Sequence, residues 1–146
     1  MAISNVKTAI YQDLQTLTTI NGYSTTIKTI KKKAVLPTNV GQTDCPLIAY
    51  ELVECPSRPF DEAGYTFDLK YWFFVHVTAN VDTDDSGDIL DALLAIYQDL
   101  QTLFNKQTTN TFKLDEVQDI EIENFYPLDE GTKGFALIPM RIGYKR

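Results

Sequence analysis

The chain has 146 residues but only one histidine and two cysteines, and these shortages exclude several kinds of site. A single histidine, His76, cannot form a two-histidine metal centre within one chain. The cysteines Cys45 and Cys55 flank the apolar run 46–53. If that run is one strand, they lie about 33 Å apart, whereas a disulfide needs Cα atoms within about 7 Å. We therefore expect reduced thiols in a reducing compartment, and no zinc knuckle, since no C-x-x-C pair occurs.

Sequence motifs of common catalytic and nucleotide-binding sites are also missing. The chain contains no G-x-x-x-x-G-K, G-x-G-x-x-G, H-E-x-x-H or G-x-S-x-G segment. No run approaches the ~18 apolar residues of a membrane span, and the first eleven residues lack the basic and apolar parts of a secretory signal. We expect no catalytic residue, cofactor, bound metal or membrane partner, and a structural role for His76.

Acidic residues outnumber basic ones, and they are concentrated in the second part of the chain. The net charge is −7. Residues 1–60 carry 6 basic and 4 acidic side chains, whereas residues 61–146 carry 7 basic and 16 acidic ones. Because phosphate contacts need a basic surface, we expect no indiscriminate binding of nucleic acid. The asymmetry indicates a solvated acidic face, an oriented assembly, or a surface that must not hold DNA.

The densest acidic segment is 82–88, which only partly resembles a calcium-binding EF-hand loop. Its acidic and serine residues alternate, but position twelve of the loop would be Leu93 instead of a bidentate glutamate. A turn that leads into a helix explains the segment better, because anions are favourable at a helix N-terminus. The alternative is a small metal-dependent enzyme that uses these carboxylates.

Hydrophobic periodicity and turn residues divide the chain into seven elements. Helices are predicted at 3–20, ending at Asn21-Gly22, and from Asp85 or Ser86 to about Lys106. Strands are predicted at 24–36, 46–53, 65–79, within 111–124 and at 135–144, with loops at 38–45, 54–64 and 127–134. The order α-β-β-β-α-β-β indicates one α+β domain, 1–146, with a mixed, largely antiparallel sheet and two helices packed on one face.

The strand predicted at 65–79 is long and has aromatic residues on both faces. Its odd positions are apolar or aromatic, whereas its even positions are polar apart from Trp72 and Phe74. These two side chains need a cover, either a loop of the same chain or a neighbouring subunit. Aromatic and arginine side chains are frequent interface anchors, although Phe60 in the preceding loop could instead fold back onto the core. The predicted interface residues are Arg58, Phe60, Tyr65, Trp72 and Phe74.

The nonapeptide AIYQDLQTL occurs twice, at 9–17 and again at 95–103. Outside these segments the two halves do not align. We interpret the repeat as two helices that present the same face, side by side on one sheet. A recent local duplication is the alternative.

Charged residues are concentrated in two of the predicted strands. The cluster Lys28, Lys31, Lys32 and Lys33 either binds phosphate or protects a sheet edge against mispairing, and we favour edge protection. In the strand within 111–124, Asp119, Glu121 and Glu123 alternate with apolar residues and are therefore expected to be exposed. Pro139 places part of the last strand at an edge or a bulge.

Three phrases of the sequence resemble a known family in their order and spacing. INGYSTTI ends the first helix at 20–27, PLIAYELVE forms a short strand at 46–54, and DILDALLAIYQDL forms a helix at 88–100. Together with the long aromatic strand, they resemble the tail terminator and tail completion proteins of long-tailed bacteriophages, also called minor tail protein U-like. The resemblance covers nearly the whole chain but includes no catalytic motif.

The resemblance implies a structural virion protein that assembles in the host cytoplasm. Members of this family form a homohexameric ring on the head-proximal end of the tail tube, stop tube polymerisation and contact the neck. The implied partners are further copies of the chain, the tail tube protein, the neck or connector protein and, in a contractile tail, the sheath protein. DNA would pass through the lumen without specific binding, next to an acidic surface. Candidates for that surface are Asp119, Glu121, Glu123, Asp129 and Glu130.

Function would then depend on binding geometry alone. A ring interface is heterologous, because one patch meets a different patch on the next subunit, and strand addition could supply main-chain hydrogen bonds. A head–tail joining protein of the neck is the nearest alternative. A ligand-binding or adaptor module, marked by a concave apolar pocket in a monomer, is a third hypothesis.

Overall fold

The computed structural model describes residues 4–55, 57–61, 64–78, 88–105, 114, 116–129 and 133–145. Its regular elements are the helices α1 (Ser4–Leu14) and α2 (Ile89–Asn105) and the strands β1 (Thr29–Lys31), β2 (Leu47–Glu54), β3 (Ser57–Asp61), β4 (Gly64–Thr78), β5 (Val117–Ile122), β6 (Tyr126–Asp129) and β7 (Lys133–Lys145). Short 3-10 turns lie at Thr19–Asn21, Pro37–Asn39 and Gln42–Asp44. No helix among these residues is long and apolar enough to cross a membrane.

The strands form one mixed sheet, and its class agrees with the sequence prediction. Within the described residues, the order across the sheet is β1-β2-β4-β7-β5, with β3 paired to β4 and β6 paired to β7. Among the described strands, β1 and β2 are parallel and the other pairs are antiparallel. The fold is therefore α+β with a largely antiparallel sheet, as predicted. The predicted element order omitted β3 and β6.

Both helices pack on the same face of the sheet and enclose the main core. Strand β4 contributes alternate side chains to this core, Leu69, Tyr71, Phe73, Val75 and Val77, all buried. The ring of Phe73 stacks on that of Phe104 from α2, with centroids 5.6 Å apart. On the other side, the hydroxyl of Tyr50 donates to the carbonyl of Lys7 in α1 at 2.8 Å. The central strands thus hold both helices directly.

The first helix is shorter than the predicted 3–20. It ends at Leu14, where the N–H and hydroxyl of Thr16 both donate to the carbonyl of Asp13, at 3.0 and 2.6 Å. The predicted stop at Asn21-Gly22 ends the following 3-10 turn instead. Gly22 has φ 90° there, which is the left-handed conformation that glycine adopts without strain.

The predicted strand 24–36 is reduced to three residues, because neighbouring backbone groups bind elsewhere. The N–H groups of Ser24 and Thr25 donate to the carboxylate of Asp99, and that of Ile27 donates to the carbonyl of Leu17. Lysines remain at the edge of the sheet, as the favoured interpretation of the cluster requires, and Lys31 lies in β1 itself.

The prediction of a loop at 54–64 is wrong, because this segment contains strand β3. Ser57 pairs with Phe67 and Arg58 with Thr66, so β3 and the start of β4 form an antiparallel hairpin. Pro59 is compatible with a strand here because β3 pairs only with β4 among the described residues, which makes it an edge strand. The predicted loop 127–134 likewise contains β6 and the start of β7.

Pro139 lies in a central strand, contrary to the predicted edge or bulge position. Strand β7 pairs with β4 on one side and with β5 and then β6 on the other. The carbonyl of Pro139 accepts the N–H of Glu123 at 2.9 Å, so the missing N–H of the proline faces the gap between β5 and β6. No ladder bond to β4 is lost, which explains how a central strand accommodates proline.

The second helix begins at Ile89 and is capped by Asp88, not by Asp85 or Ser86 as predicted. The Asp88 carboxylate accepts the N–H of Asp91 at 3.3 Å. On this helix Leu90 and Leu94 are exposed, whereas Ile96 is buried.

The two copies of AIYQDLQTL bury the same face. Ile10 and Ile96, Asp13 and Asp99, Leu14 and Leu100, and Leu17 and Leu103 are buried in corresponding positions. The prediction that the helices present the same face to one sheet is therefore confirmed. The second copy is helical throughout, whereas the first leaves the helix after Leu14.

Candidate functional site

The sheet face opposite the two helices, here called the outer face, carries side chains in rows across the strands. Register places Glu51, Trp72 and Pro139 in one row, followed by Ala49, Phe74, Leu137 and Tyr126, and then by Leu47, His76, Phe135 and Leu128. Aligned residues of neighbouring strands point to the same side of a sheet, so these side chains form one continuous surface.

A segment of the same chain covers one end of the outer face. Val40 and Cys45, from the connection between β1 and β2, pack with Leu47 and Ala49 into a second, smaller cluster. Val35 and Phe74 border it. The cover required for the polar side of β4 is therefore supplied in part by the chain itself.

His76 lies beneath this cover and is 3% exposed. Its Nε2 atom has no hydrogen-bond partner among the described residues, and its ring lies 5.1 Å from that of Phe135. Burial lowers the pKa of His76 to about 4; a backbone hydrogen bond with Val35 opposes this shift, and the charge of Lys133 adds to it. The histidine is neutral at pH 7 and forms part of the packing, in line with the structural role expected for it.

The remainder of the outer face is apolar and open among the described residues. Trp72 is 36% exposed, Tyr126 51% and Leu128 49%. The Trp72 and Phe74 rings meet edge to face with centroids 6.3 Å apart, and Phe74 in turn lies 6.2 Å from Phe135. An aromatic surface of this kind is typical of a contact with another macromolecule.

Charged residues border the apolar part of the outer face on one side. Arg141 of β7 pairs with Asp119 at 2.6 Å and with Glu121 and Asp68 at 3.5 Å each. Hydrogen bonding to Asp119 raises the pKa of Arg141 above its ordinary value, and burial opposes that shift. A second pair joins Lys70 to Glu54 at 3.5 Å. A polar rim beside an aromatic centre is the usual arrangement of a protein interface.

The structure brings together two of the five predicted interface residues. Trp72 and Phe74 are adjacent on the outer face. The backbone of Arg58, Phe60 and Tyr65 belongs to the hairpin of β3 and β4, and β4 is the strand that carries Trp72 and Phe74. The side chains of these three residues fall outside the described part of the chain.

The predicted acidic residues fall into two groups. Asp119 and Glu121 are exposed near Arg141, at 56% and 62% of their side-chain surface, and Glu123 is exposed beyond them. Asp129 is placed in β6 by its backbone only, and Glu130 lies outside the described residues.

Tyr126, Leu128 and Arg141 belong to this surface and were missed in the sequence. The first two precede a turn signal, and their alternation around Pro127 is the pattern of a short strand with one apolar face. Arg141 follows Pro139 in an otherwise apolar strand, which is a signal for a paired charge on the outer face.

Other kinds of site find no support among the described residues. No group of three or more histidine, cysteine or acidic side chains there is arranged to hold a metal ion. The acidic segment 82–87, on which the metal-enzyme alternative depends, lies outside these residues. Cys45 is buried and Cys55 is exposed, and the described part of the chain contains no disulfide between them.

No protein-family model matches the chain, and no curated protein matches it.

Proposed function

We propose that this protein is a structural, non-enzymatic component of a bacteriophage tail, which forms a ring on the head-proximal end of the tail tube. The ring stops tube polymerisation and joins the tail to the neck. The observation that carries the proposal is the outer face, where an exposed aromatic surface with a charged rim occupies the side of the sheet that lacks helices. A two-layer fold leaves one sheet face to be covered, and further copies of the chain would cover it.

The charge of the chain supports a role around DNA without binding it. The net charge is −7, and residues 61–146 carry 16 acidic and 7 basic side chains. A basic channel would retain DNA through phosphate contacts, whereas an acidic surface lets it slide past. The resemblance of the element order to tail terminator proteins is the second support.

Assembly can be tested with Trp72 as a built-in probe, because it is the only tryptophan of the chain. Light scattering after gel filtration should show a ring-sized particle, and tryptophan emission should move to shorter wavelengths as concentration rises, since assembly covers Trp72. Trp72→Ala should weaken assembly, whereas Leu90→Ala, a similarly exposed apolar residue on the opposite layer, should not. A protein that stays monomeric at every concentration and never decorates tube ends would overturn the proposal.

A second experiment separates tail termination from neck joining. Disruption of the gene should yield overlong tubes if the protein terminates the tail. Tails of normal length that remain detached from heads would instead assign it to the neck, which is the alternative function.

A further inference from the structure

We propose that neighbouring subunits of the ring join through opposite edges of the sheet, with the basic β1 edge of one copy against the acidic β5 edge of the next. The inference rests on the proposed ring and adds a contact between sheet edges to the covering of the outer face by further copies. It assigns Glu121 and Glu123 to the contact between subunits instead of the wall of a channel.

The β1 edge is strongly basic. Lys28, Lys31, Lys32 and Lys33 are all exposed within six residues. Lys32 lies 4.5 Å from the ring centre of Tyr11, and none of the four forms an ion pair with a described carboxylate. Four positive charges are therefore available at this edge to a partner.

The β5 edge has the opposite charge. Asp119, Glu121 and Glu123 are exposed, and Arg141 is the one described cation that pairs with them. Just before β5, the Oε2 atom of Glu116 is buried and has no hydrogen-bond partner among the described residues. This edge therefore retains excess negative charge among the described residues.

Both edges also have backbone groups that can pair. The N–H of Glu123 donates to Pro139 in β7, and direction alternates along a strand, so the N–H and C=O groups of Ile120 and Ile122 point away from β7. By the same alternation, the backbone N–H of Thr29 donates to the carbonyl of Pro46 just before β2, whereas the backbone N–H and C=O groups of Ile30 point away from β2. No described strand occupies either position. Strand addition across subunits would satisfy these groups.

A second copy of this chain is the partner that fits both edges. The two charged edges lie at opposite ends of the strand order, so one molecule cannot bring them together. A contact of one edge with the other edge of the next copy is heterologous and closes into a ring when the rotation permits. Like-charged edges repel, so the lysines that prevent β1–β1 pairing favour β1–β5 pairing.

Charge reversal tests the inference directly. Lys28→Glu with Lys31→Glu cancels the net positive charge of the β1 edge, and Glu121→Lys with Glu123→Lys removes the negative charge of the β5 edge. Each double variant alone should require at least about tenfold more protein to assemble than the unmodified chain, as measured by light scattering. A mixture of the two should regain ring-sized particles of alternating subunits, and so should one chain that carries all four changes.

The control is Lys7→Glu with Lys133→Glu, which changes the net charge as much as the first variant at exposed positions in α1 and at the start of β7, outside both edge strands. It should assemble normally, and circular dichroism should show every variant folded. If the unmodified chain forms rings and the edge variants alone also form them, the inference fails while the proposed function stands. If the unmodified chain stays monomeric, the proposed function itself fails.

Discussion

The carboxylate of Asp99 accepts the backbone N–H of Ser24 through both oxygens, at 3.1 Å each. It also accepts the N–H of Thr25 at 3.2 Å, although Asp99 is only 7% exposed. A buried carboxylate on α2 thereby holds the segment that leads to β1. This segment is not a strand over its full predicted length, because its donors bind a helix side chain.

Replacement of Asp99 should destabilise the fold. In Asp99→Ala the N–H groups of Ser24 and Thr25 lose their acceptor, which should lower the free energy of unfolding by about 1–3 kcal/mol. Asp99→Asn keeps one acceptor oxygen of the same shape and should lose less. Urea unfolding followed by circular dichroism measures both. Equal stability of Asp99→Ala and the unmodified chain would contradict this role.

His76 should make stability depend on pH between about 4 and 6.5. Burial lowers the pKa of His76 to about 4, so in this window the unfolded chain binds a proton that the folded chain does not. The free energy of unfolding therefore falls as the pH falls, by at most about 3 kcal/mol.

The comparison that isolates this effect uses His76→Asn, which cannot titrate. Urea unfolding of both proteins at pH 7 and pH 5 should show a larger loss in the unmodified chain. The carboxylates are common to both proteins and cancel in the comparison. The same pH slope in the variant would show that His76 is not responsible.

Gly134 should not tolerate a side chain, because the start of α2 lies against it. A Cβ atom there would collide with Ile89 and would lie 2.9 Å from Val77. Gly134→Ala should therefore lower the free energy of unfolding by about 1–3 kcal/mol. The matched control is Gly41→Ala, whose nearest neighbour is the flexible carboxylate of Asp44 at 3.2 Å. Thermal unfolding of both variants should show a clear loss for the first alone.

Periodicity predicted the parts of the fold that have one buried face over many residues. The alternation in β4 and the spacing in α2 both follow from packing against a single core, so local sequence contains the signal. The aromatic pair Trp72 and Phe74 was recognised as part of the candidate site in the same way, because it breaks the polar pattern of its own strand.

Tertiary contacts determined the features of the fold that hydrophobic periodicity did not predict. The two copies of AIYQDLQTL are identical, yet the segment after Leu14 leaves the helix and the segment after Leu100 continues it, so the surroundings decide the backbone. Likewise, Pro139 occupies a central strand only because its neighbour changes from β5 to β6 at that point. Neither the end of the helix at Leu14 nor the central position of Pro139 can be predicted from a short window of local sequence.

The parallel pairing of β1 with β2 has a consequence for the length of the chain between them. A tight turn can join antiparallel neighbours, but parallel neighbours need a return path as long as the strands. Here the return path is the segment that passes over His76 and closes one end of the outer face. Shortening this segment would displace strand β1 and expose His76 at the same time. Deletions that an ordinary surface loop tolerates would therefore not be tolerated here.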